Sequence, residues 1–542
     1  MRDGAEPGAA TASDVIATRL AEAGCRHAFG IPGGEVLALM GALGRAGLQI
    51  TLVKHENAGG FMAEGAWRAT GAPGVLFATI GPGVVNAATA IANAWQERVP
   101  LIVLTGSVPA AEALTYTHQV FDHVRFLEPI SKAAIRVEAG AAAVAIDKAL
   151  KIATSGRPGP VILDVPIDVQ REAPAAYHRS RHAPDAPMAP AGDALETARS
   201  WLAEAERPLV VAGLDVLTQR AGGAVEAFCR RHQAPVIATY KAKGVMPEAD
   251  PLALGGAGLS PVADGELLPL VEASDCVILA GYDPIEMRIG WRDAFGPAQR
   301  VIDIAAAPNT HYMHQAPLNF IGDVAASLAA LSADVAPRAT WPDGAPAAVK
   351  ARLHALFRRD ESWGPAAVVD ETRRASPPGA VAAMDSGAHR IVASQVWESD
   401  HPGGVLQSTA LCAMGVSVPL AIGRKLAEPG RAVVAFVGDA GLEMGLGELA
   451  TARDLGLGLP VVVFVDGQLG LIELKQRGMG MEPLGVEFPG TDFTAVANAM
   501  GGVGVTVADR AALRAAVAAA YRRDTFTLIS AMIGRNAYDG RI

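Results

Sequence analysis

Two acids, Asp439 and Asp466, lie 27 residues apart, each directly after an apolar run and beside a glycine or alanine. The first run, 431–437, leads into Gly438-Asp439-Ala440-Gly441; the second, 460–465, leads into Asp466-Gly467-Gln468. Short runs rich in Val and Phe read as buried strands. In an open parallel sheet, ligands bind just past the carboxyl ends of the strands. Two carboxylates brought together there need a cation between them, and a hard divalent ion such as Mg2+, bridging to a phosphorylated ligand, meets that need. Gln468 is placed to add a backbone carbonyl to the metal shell, and Gly438, Ala440 and Gly441 let backbone N–H groups approach a phosphate at a helix start. Either acid alone reads as an ordinary helix N-cap; the pair favours a metal. The helix after the first acid is expected over 445–456.

Glu56 closes an apolar strand, 50–53, and faces a helix of small residues: Ala58, Gly59, Gly60, Ala63, Gly65 and Ala66. From the local sequence it is either an acid satisfying a helix dipole or a carboxyl in a tight apolar site with a proton to share. The turns 30–34 and 81–83 are built from Gly and Pro and mark close backbone approach. Taken singly, His118 reads as a loop histidine and Met414 as core packing. His389 caps a helix or contacts a phosphate.

The elements that position these groups alternate strand with helix along the chain. Strands are expected at 27–30, 50–53, 74–79, 100–105 and 161–165, then at 208–211, 236–238, 276–280 and 300–303. A third set lies at 380–385, 431–437, 460–465 and 526–531. Such alternation implies parallel sheets with right-handed crossovers. A helix over 12–23 would be capped by Thr11 or Ser13. Two aperiodic stretches, 174–192 and 337–346, read as linkers. The fold class is α/β, with three doubly wound, mainly parallel-sheet domains at 10–173, 193–335 and 348–535. The first and third share strand ends loaded with Gly and acid, which fits two related sheets.

A chain of 542 residues is too long for one core. Half the residues are hydrophobic but only 5% aromatic, which suits closely packed layers. The net charge of −10 argues against nucleic acid or an anionic membrane as partner. Cys25, Cys229, Cys276 and Cys412 show no CxxC spacing and are expected to be buried free thiols. Residues 1–13 lack the apolar core of a signal peptide, and no apolar run reaches bilayer length. A soluble cytoplasmic protein is expected. No Gly-x-Gly-x-x-Gly follows a strand with an acid beyond it, which argues against a nicotinamide-dependent dehydrogenase.

Together these motifs resemble the thiamine-diphosphate enzymes of the acetolactate synthase, pyruvate oxidase and 2-keto acid decarboxylase superfamily over nearly the whole chain. Gly438-Asp439-Ala440 to Asp466 is similar to that family's diphosphate motif, in which Gly-Asp-Gly is followed at this spacing by Asn; Ala440 and Asp466 are the two departures. Gly30-Ile31-Pro32-Gly33-Gly34, Lys54-His55-Glu56, Ala63-Glu64-Gly65 and Gly81-Pro82-Gly83 resemble acetolactate synthase segments. The resemblance implies a pyrimidine-binding domain, a central Rossmann-like domain and a diphosphate-binding domain, in that order. It implies thiamine diphosphate and Mg2+ as cofactors, with Asp439, Asp466 and Gln468 as metal ligands. Glu56 would activate the cofactor at pyrimidine N1′, and Met414 would bend it into a V. Gln119 and His118 would handle acceptor and proton movements. Cofactor contacts would come from Gly33, Gly34, Pro82 and Asn86 in the first domain. In the third they would come from Gly387, Ala388, His389, Ala413, Met414, Gly438, Asp439, Ala440, Gly441, Asp466, Gln468, Leu469, Gly470 and Leu471.

Within the superfamily, Gly281-Tyr282-Asp283-Pro284-Ile285-Glu286, Thr117-His118-Gln119, Asp122 and Pro129-Ile130-Ser131-Lys132 are similar to the catabolic acetolactate synthases. That type lacks FAD, so no FAD is expected. Glu35 and the segment 473–483, with Met479, Gly480 and Met481, depart from it, which leaves the 2-keto acid and the acceptor open. The implied activity is decarboxylation of a 2-keto acid and transfer of the acyl carbanion equivalent to a carbonyl acceptor. A non-ligating decarboxylase, or a cofactor-binding regulatory homologue, is the alternative. The family's site lies between two subunits, with Glu56 from one and Asp439, Asp466 and Met414 from the other, so a homodimer or homotetramer is implied.

Overall fold

In the computed structural model, which describes residues 10–176 and 186–542, eighteen strands form three six-stranded sheets, all parallel. The first contains β1 (His27–Ile31), β2 (Gln49–Leu52), β3 (Gly74–Ala78), β4 (Leu101–Ser107), β5 (Ala133–Arg136) and β6 (Val161–Pro166), in the order β2-β1-β3-β4-β6-β5. The second contains β7 (Pro208–Ala212), β8 (Val236–Thr239), β9 (Ala253–Ala257), β10 (Cys276–Ala280), β11 (Arg300–Ala305) and β12 (Leu318–Ile321), ordered β12-β11-β10-β7-β8-β9. That is the doubly wound order of a dinucleotide-type fold. The third contains β13 (Val381–Met384), β14 (Val405–Gln407), β15 (Val433–Gly438), β16 (Pro460–Val465), β17 (Val503–Val507) and β18 (Thr527–Met532), ordered β14-β13-β15-β16-β18-β17. Its order repeats that of the first sheet.

Interior strands such as β3, β4, β10 and β16 are buried at every position. Helices cover both faces, so these strands read as unbroken apolar runs. The five strands that the sequence did not reveal, β5, β9, β12, β14 and β17, are all sheet edges. There β5 is half-buried throughout and β12 alternates half-buried with exposed, so neither carries an apolar run.

The described residues form two compact units. One holds the first sheet together with 418–430 and 445–457; the other holds the second and third sheets. In the first unit, the helix Glu56–Thr70 is built from small residues because the helix Ser417–Ala427 lies against it. A Cβ on Gly65 would stand 2.3 Å from the Leu420 carbonyl oxygen, and one on Gly423 1.9 Å from that of Met62. The first helix, Ala12–Glu22, is capped by Thr11 through a capping box with Asp14, while Ser13 is buried inside it.

Three expectations need correction. The helix expected at 445–456 is two helices, Asp439–Gly445 and Glu448–Asp454, so helical backbone starts on the acid itself. The second linker is not free chain: Trp341 is buried, its Nε1 donates to the Pro208 carbonyl at 2.8 Å, and a helix has begun by Ala345. Three cysteines are buried free thiols, but Cys412 is exposed. Of the first linker, 177–185 lie outside the described residues. No described helix is long and apolar enough to cross a membrane.

Candidate functional site

In the third sheet the chain leaves β13 towards β14 and returns as β15 on the other side. The loops after β13 and β15 therefore diverge and leave a crevice at the carboxyl ends of the strands. A cavity of about 320 Å³ opens there, of a size that holds small molecules. Residues 386–390 after β13, 438–441 after β15 and 468–472 after β16 line it, with Asp466, Met414 and Tyr538.

Asp439 is buried, and its carboxylate is held by three backbone N–H groups. Oδ1 accepts from Ala440 at 2.9 Å; Oδ2 accepts from Asp466 at 3.1 Å and Gly467 at 2.8 Å. Asp466 Oδ1 accepts from Gln468 N at 3.2 Å. Burial raises both carboxyls above their usual range; the charge of Asp439 adds to the effect on Asp466, which is pushed up to about 7. A buried acid whose charge disfavours that of a half-buried neighbour is the electrostatic pattern of a site completed by a cation. Among the described residues no three His, Cys, Asp or Glu side chains gather as a metal site. A bound ion would therefore need oxygens beyond this pair, from the Gln468 carbonyl, a ligand or water.

His389 is buried and stacks on Phe464 with ring centroids 5.3 Å apart. Burial, helped by Arg390, pushes its pKa down to about 3, so the ring is neutral. Its Nε2 is buried in the cavity wall with no hydrogen-bond partner, a position that a ligand would satisfy. Beside it the backbone leaves room that only glycine leaves: a Cβ on Gly441 would stand 2.3 Å from Asp385 Oδ2, and Gly387 has φ +151°. Ala440 lies within the helix Asp439–Gly445 and is not among the positive-φ residues, so alanine brings no backbone strain there. The orphaned nitrogen, the open backbone and the acid pair fit a metal-bound diphosphate.

Asp385, at the end of β13, is a residue that the sequence reading missed. Its buried carboxylate accepts from Gly415 N and Val416 N, both at 3.0 Å, and so fixes the loop that presents Met414. Burial pushes it up to about 6. Ala413 does not line the cavity; its N–H donates to Ser408 Oγ at 3.2 Å. Arg288, Ser386, Arg390, Cys412 and Lys475 do line it and were missed as well. Ser386 and Arg390 flank the segment 387–389, and Arg288 lies two residues past Glu286, so proximity to the quoted motifs was the available signal.

The first unit carries a second cluster. Glu56 opens its helix directly after β2 and is buried. Asn86 Nδ2 donates to Glu56 Oε2 at 3.0 Å, and a Cβ on Gly83 would stand 3.1 Å from Oε1. Glu56, Asn86 and the 81–83 turn are thus brought together. Glu448, also missed, is buried; its Oε1 accepts from Lys54 N at 2.9 Å and His55 N at 3.1 Å, fixing the turn that carries Glu56. Gly33 lies against Thr79, whose hydroxyl donates to Glu35 Oε2 at 2.9 Å, so the β1 and β3 loops meet. His123 was missed too. Its Nε2 accepts from Gly81 N at 3.3 Å while Nδ1 pairs with Asp164 at 3.0 Å, an arrangement met by a neutral ring protonated on Nδ1. Gln119, at φ +61°, lies against Gly81, whereas His118 is exposed with its ring centroid 6.3 Å from that of Tyr116. No hydrogen bond ties either to Glu56.

Three family models match the chain: the thiamine pyrophosphate enzyme N-terminal TPP binding domain at residues 10–126, the central domain at 195–331 and the C-terminal TPP binding domain at 385–531. An acetolactate synthase large subunit from Parasynechococcus marenigrum is 31% identical, over 94% of this chain and 86% of its own. A protein named probable 2-ketoarginine decarboxylase AruI from Pseudomonas aeruginosa is 32% identical, over 91% and 88%. The acetolactate synthase of Bacillus subtilis is 29% identical, over 91% and 88%.

Proposed function

This chain belongs to the thiamine pyrophosphate enzymes and is acetolactate synthase-like; from that premise we propose that it is a Mg2+-dependent carboligase that decarboxylates a 2-keto acid and passes the acyl carbanion equivalent to a carbonyl acceptor. The observation that carries this reading is the pair of buried Asp439 and half-buried Asp466 at the switch point of the third sheet. Asp439, Asp466 and the Gln468 carbonyl would hold Mg2+, and residues 387–389, 438–441 and 469–471 the diphosphate. Gly33, Gly34, Pro82 and Asn86 would contact the pyrimidine end. Thiamine diphosphate supplies, when bound, the nucleophilic carbon that lets CO2 leave. Glu56 would exchange a proton with the pyrimidine, its carboxyl oriented by Asn86. Met414, on the loop that Asp385 fixes, would press the two rings into a productive angle. Gln119 and His118 would serve the acceptor and its protons. We set the domain limits at 10–173, 193–335 and 348–535, and place the protein as a homodimer or homotetramer in the cytoplasm, where three buried free thiols are at home. No FAD is included.

A non-ligating decarboxylase is the second reading, favoured by the relative named as a 2-ketoarginine decarboxylase. Product analysis with pyruvate, thiamine diphosphate and Mg2+ separates the two: acetolactate supports the carboligase, and acetaldehyde alone sinks it. Glu56→Gln is expected to lower turnover about 10²- to 10⁴-fold while calorimetry still registers cofactor binding. Full turnover by that variant would remove Glu56 from the mechanism.

A further inference from the structure

The cavity wall carries three cations, Arg288, Arg390 and Lys475, and no acid besides Asp439 and Asp466. Arg390 is engaged: its guanidinium bonds Ser386 Oγ, the Ser408 carbonyl and Cys412 Sγ. The side chains of Arg288 and Lys475 make no hydrogen bond or ion pair with any described residue, although the charge of Arg288 acts on Asp264. Lys475 stands apart from the acid pair. Its helix, Gly470–Gly478, starts against Asp466, since a Cβ on Gly470 would be 3.1 Å from Asp466 Oδ2. Lys475 is five residues further on, about 7 Å along the axis at the helical rise. Arg288 reaches the same cavity from the second sheet domain, from a loop tied down by its own N–H to the Gly258 carbonyl at 3.0 Å.

Lys475 is exposed and Arg288 half-buried, so water satisfies both until a ligand enters, but an anion entering the cavity gains charge-assisted contacts, which are among the strongest single contacts available. One carboxylate, that of a simple 2-keto acid, would leave one of the two cations without a partner. We propose that the substrate is a 2-keto acid with a second, distal anionic group, for which a carboxylate is the simplest form, and that Arg288 and Lys475 select it. This rests on reading the cavity as the thiamine diphosphate site. The same cations disfavour a substrate ending in a guanidinium, which sets this chain apart from the activity named for its Pseudomonas relative.

The test uses the holoenzyme and measures CO2 release from 2-oxoglutarate and 2-oxoadipate against the uncharged-tail acids 2-oxohexanoate and 2-oxoheptanoate. The dianions are expected to have kcat/KM at least about tenfold higher. Arg288→Met and Lys475→Met should each cut that dianion-to-neutral ratio about tenfold, with thiamine diphosphate affinity, read by calorimetry, unchanged. Equal or lower kcat/KM for the dianions overturns the proposal, as does a ratio untouched by both variants. Loss of thiamine diphosphate affinity in both variants overturns it too, because the cations would then serve the diphosphate. A holoenzyme that turns over pyruvate but no dianion defeats the proposal alone. One that releases CO2 from none of these acids, pyruvate included, defeats the functional reading beneath it.

Discussion

Asp466 stands where the family motif has an uncharged amide, and the structure gives that difference a cost. An acid whose folded pKa lies near 7 binds a proton more tightly folded than unfolded. Its penalty is absent below the unfolded value near 4, grows as pH rises, and is complete above about 7. In metal-free protein at pH 8, Asp466→Asn is therefore expected to raise stability, by at most about 4 kcal/mol and by less to the extent that solvent reaches this half-buried group, read as a higher thermal midpoint. The same change removes one charge from the proposed metal shell, so Mg2+ affinity should fall about tenfold. An unchanged midpoint would show that the two carboxylates are not in conflict. This residue was legible in sequence because strand, glycine and acid are contiguous. Asp385, Glu448, Arg288 and Lys475 were not, since each acts on partners far along the chain or through a cavity that no local pattern records.

Elements explain which residues can act at all. The turn carrying Glu56 is fixed by Glu448, whose carboxylate takes two backbone N–H groups and the Thr451 hydroxyl. Glu448→Ala removes the acceptor of both N–H groups; Lys54 and His55 are exposed, so water replaces it and each lost bond costs about 0.5–1.5 kcal/mol. Turnover should fall with stability, while a Glu448→Gln variant, which keeps an accepting oxygen, should recover part of both; a fully active Ala variant would deny Glu448 the positioning role. Another contact joins the helices Gly222–His232 and Val324–Ser332, where buried His232 Nε2 meets Ser332 Oγ at 2.9 Å. Burial, with Arg231 second, pushes His232 down to about 4. The unfolded chain then binds the extra proton between about pH 6.5 and 4, so stability is full above that window and drains as pH falls through it. His232→Gln should flatten the pH dependence of the thermal midpoint between pH 7 and 4; an unaltered slope would place the titration elsewhere. Interior strands were legible because both faces are covered; of the six edge strands, β5, β12 and β17 were not because burial there is partial, β14 because it is three residues long, and β9 because two glycines break its apolar run. The small-residue helix Glu56–Thr70 was legible as tightly packed, but its partner was not: that Gly423 meets Met62 is a long-range fact.

At the scale of the whole molecule, two sheets with one strand order each carry a cluster of acid and partner: Glu56 with Asn86 on the first, Asp439 with Asp466 on the third. If each site takes Glu56 from one subunit and the acid pair from another, two dead variants should rescue each other. Glu56→Gln and Asp439→Ala would each be inactive as homo-oligomers. Co-expressed in equal amount, they assemble at random, and half the dimers are mixed. In each mixed dimer one site collects both lesions and the other collects neither, so about a quarter of wild-type activity should return. Sites built within one subunit would give no rescue, because every site would then carry one lesion. The fraction recovered therefore counts how many chains build a site, and titrating one variant against the other at fixed total protein should trace a parabola with its peak at equal amounts.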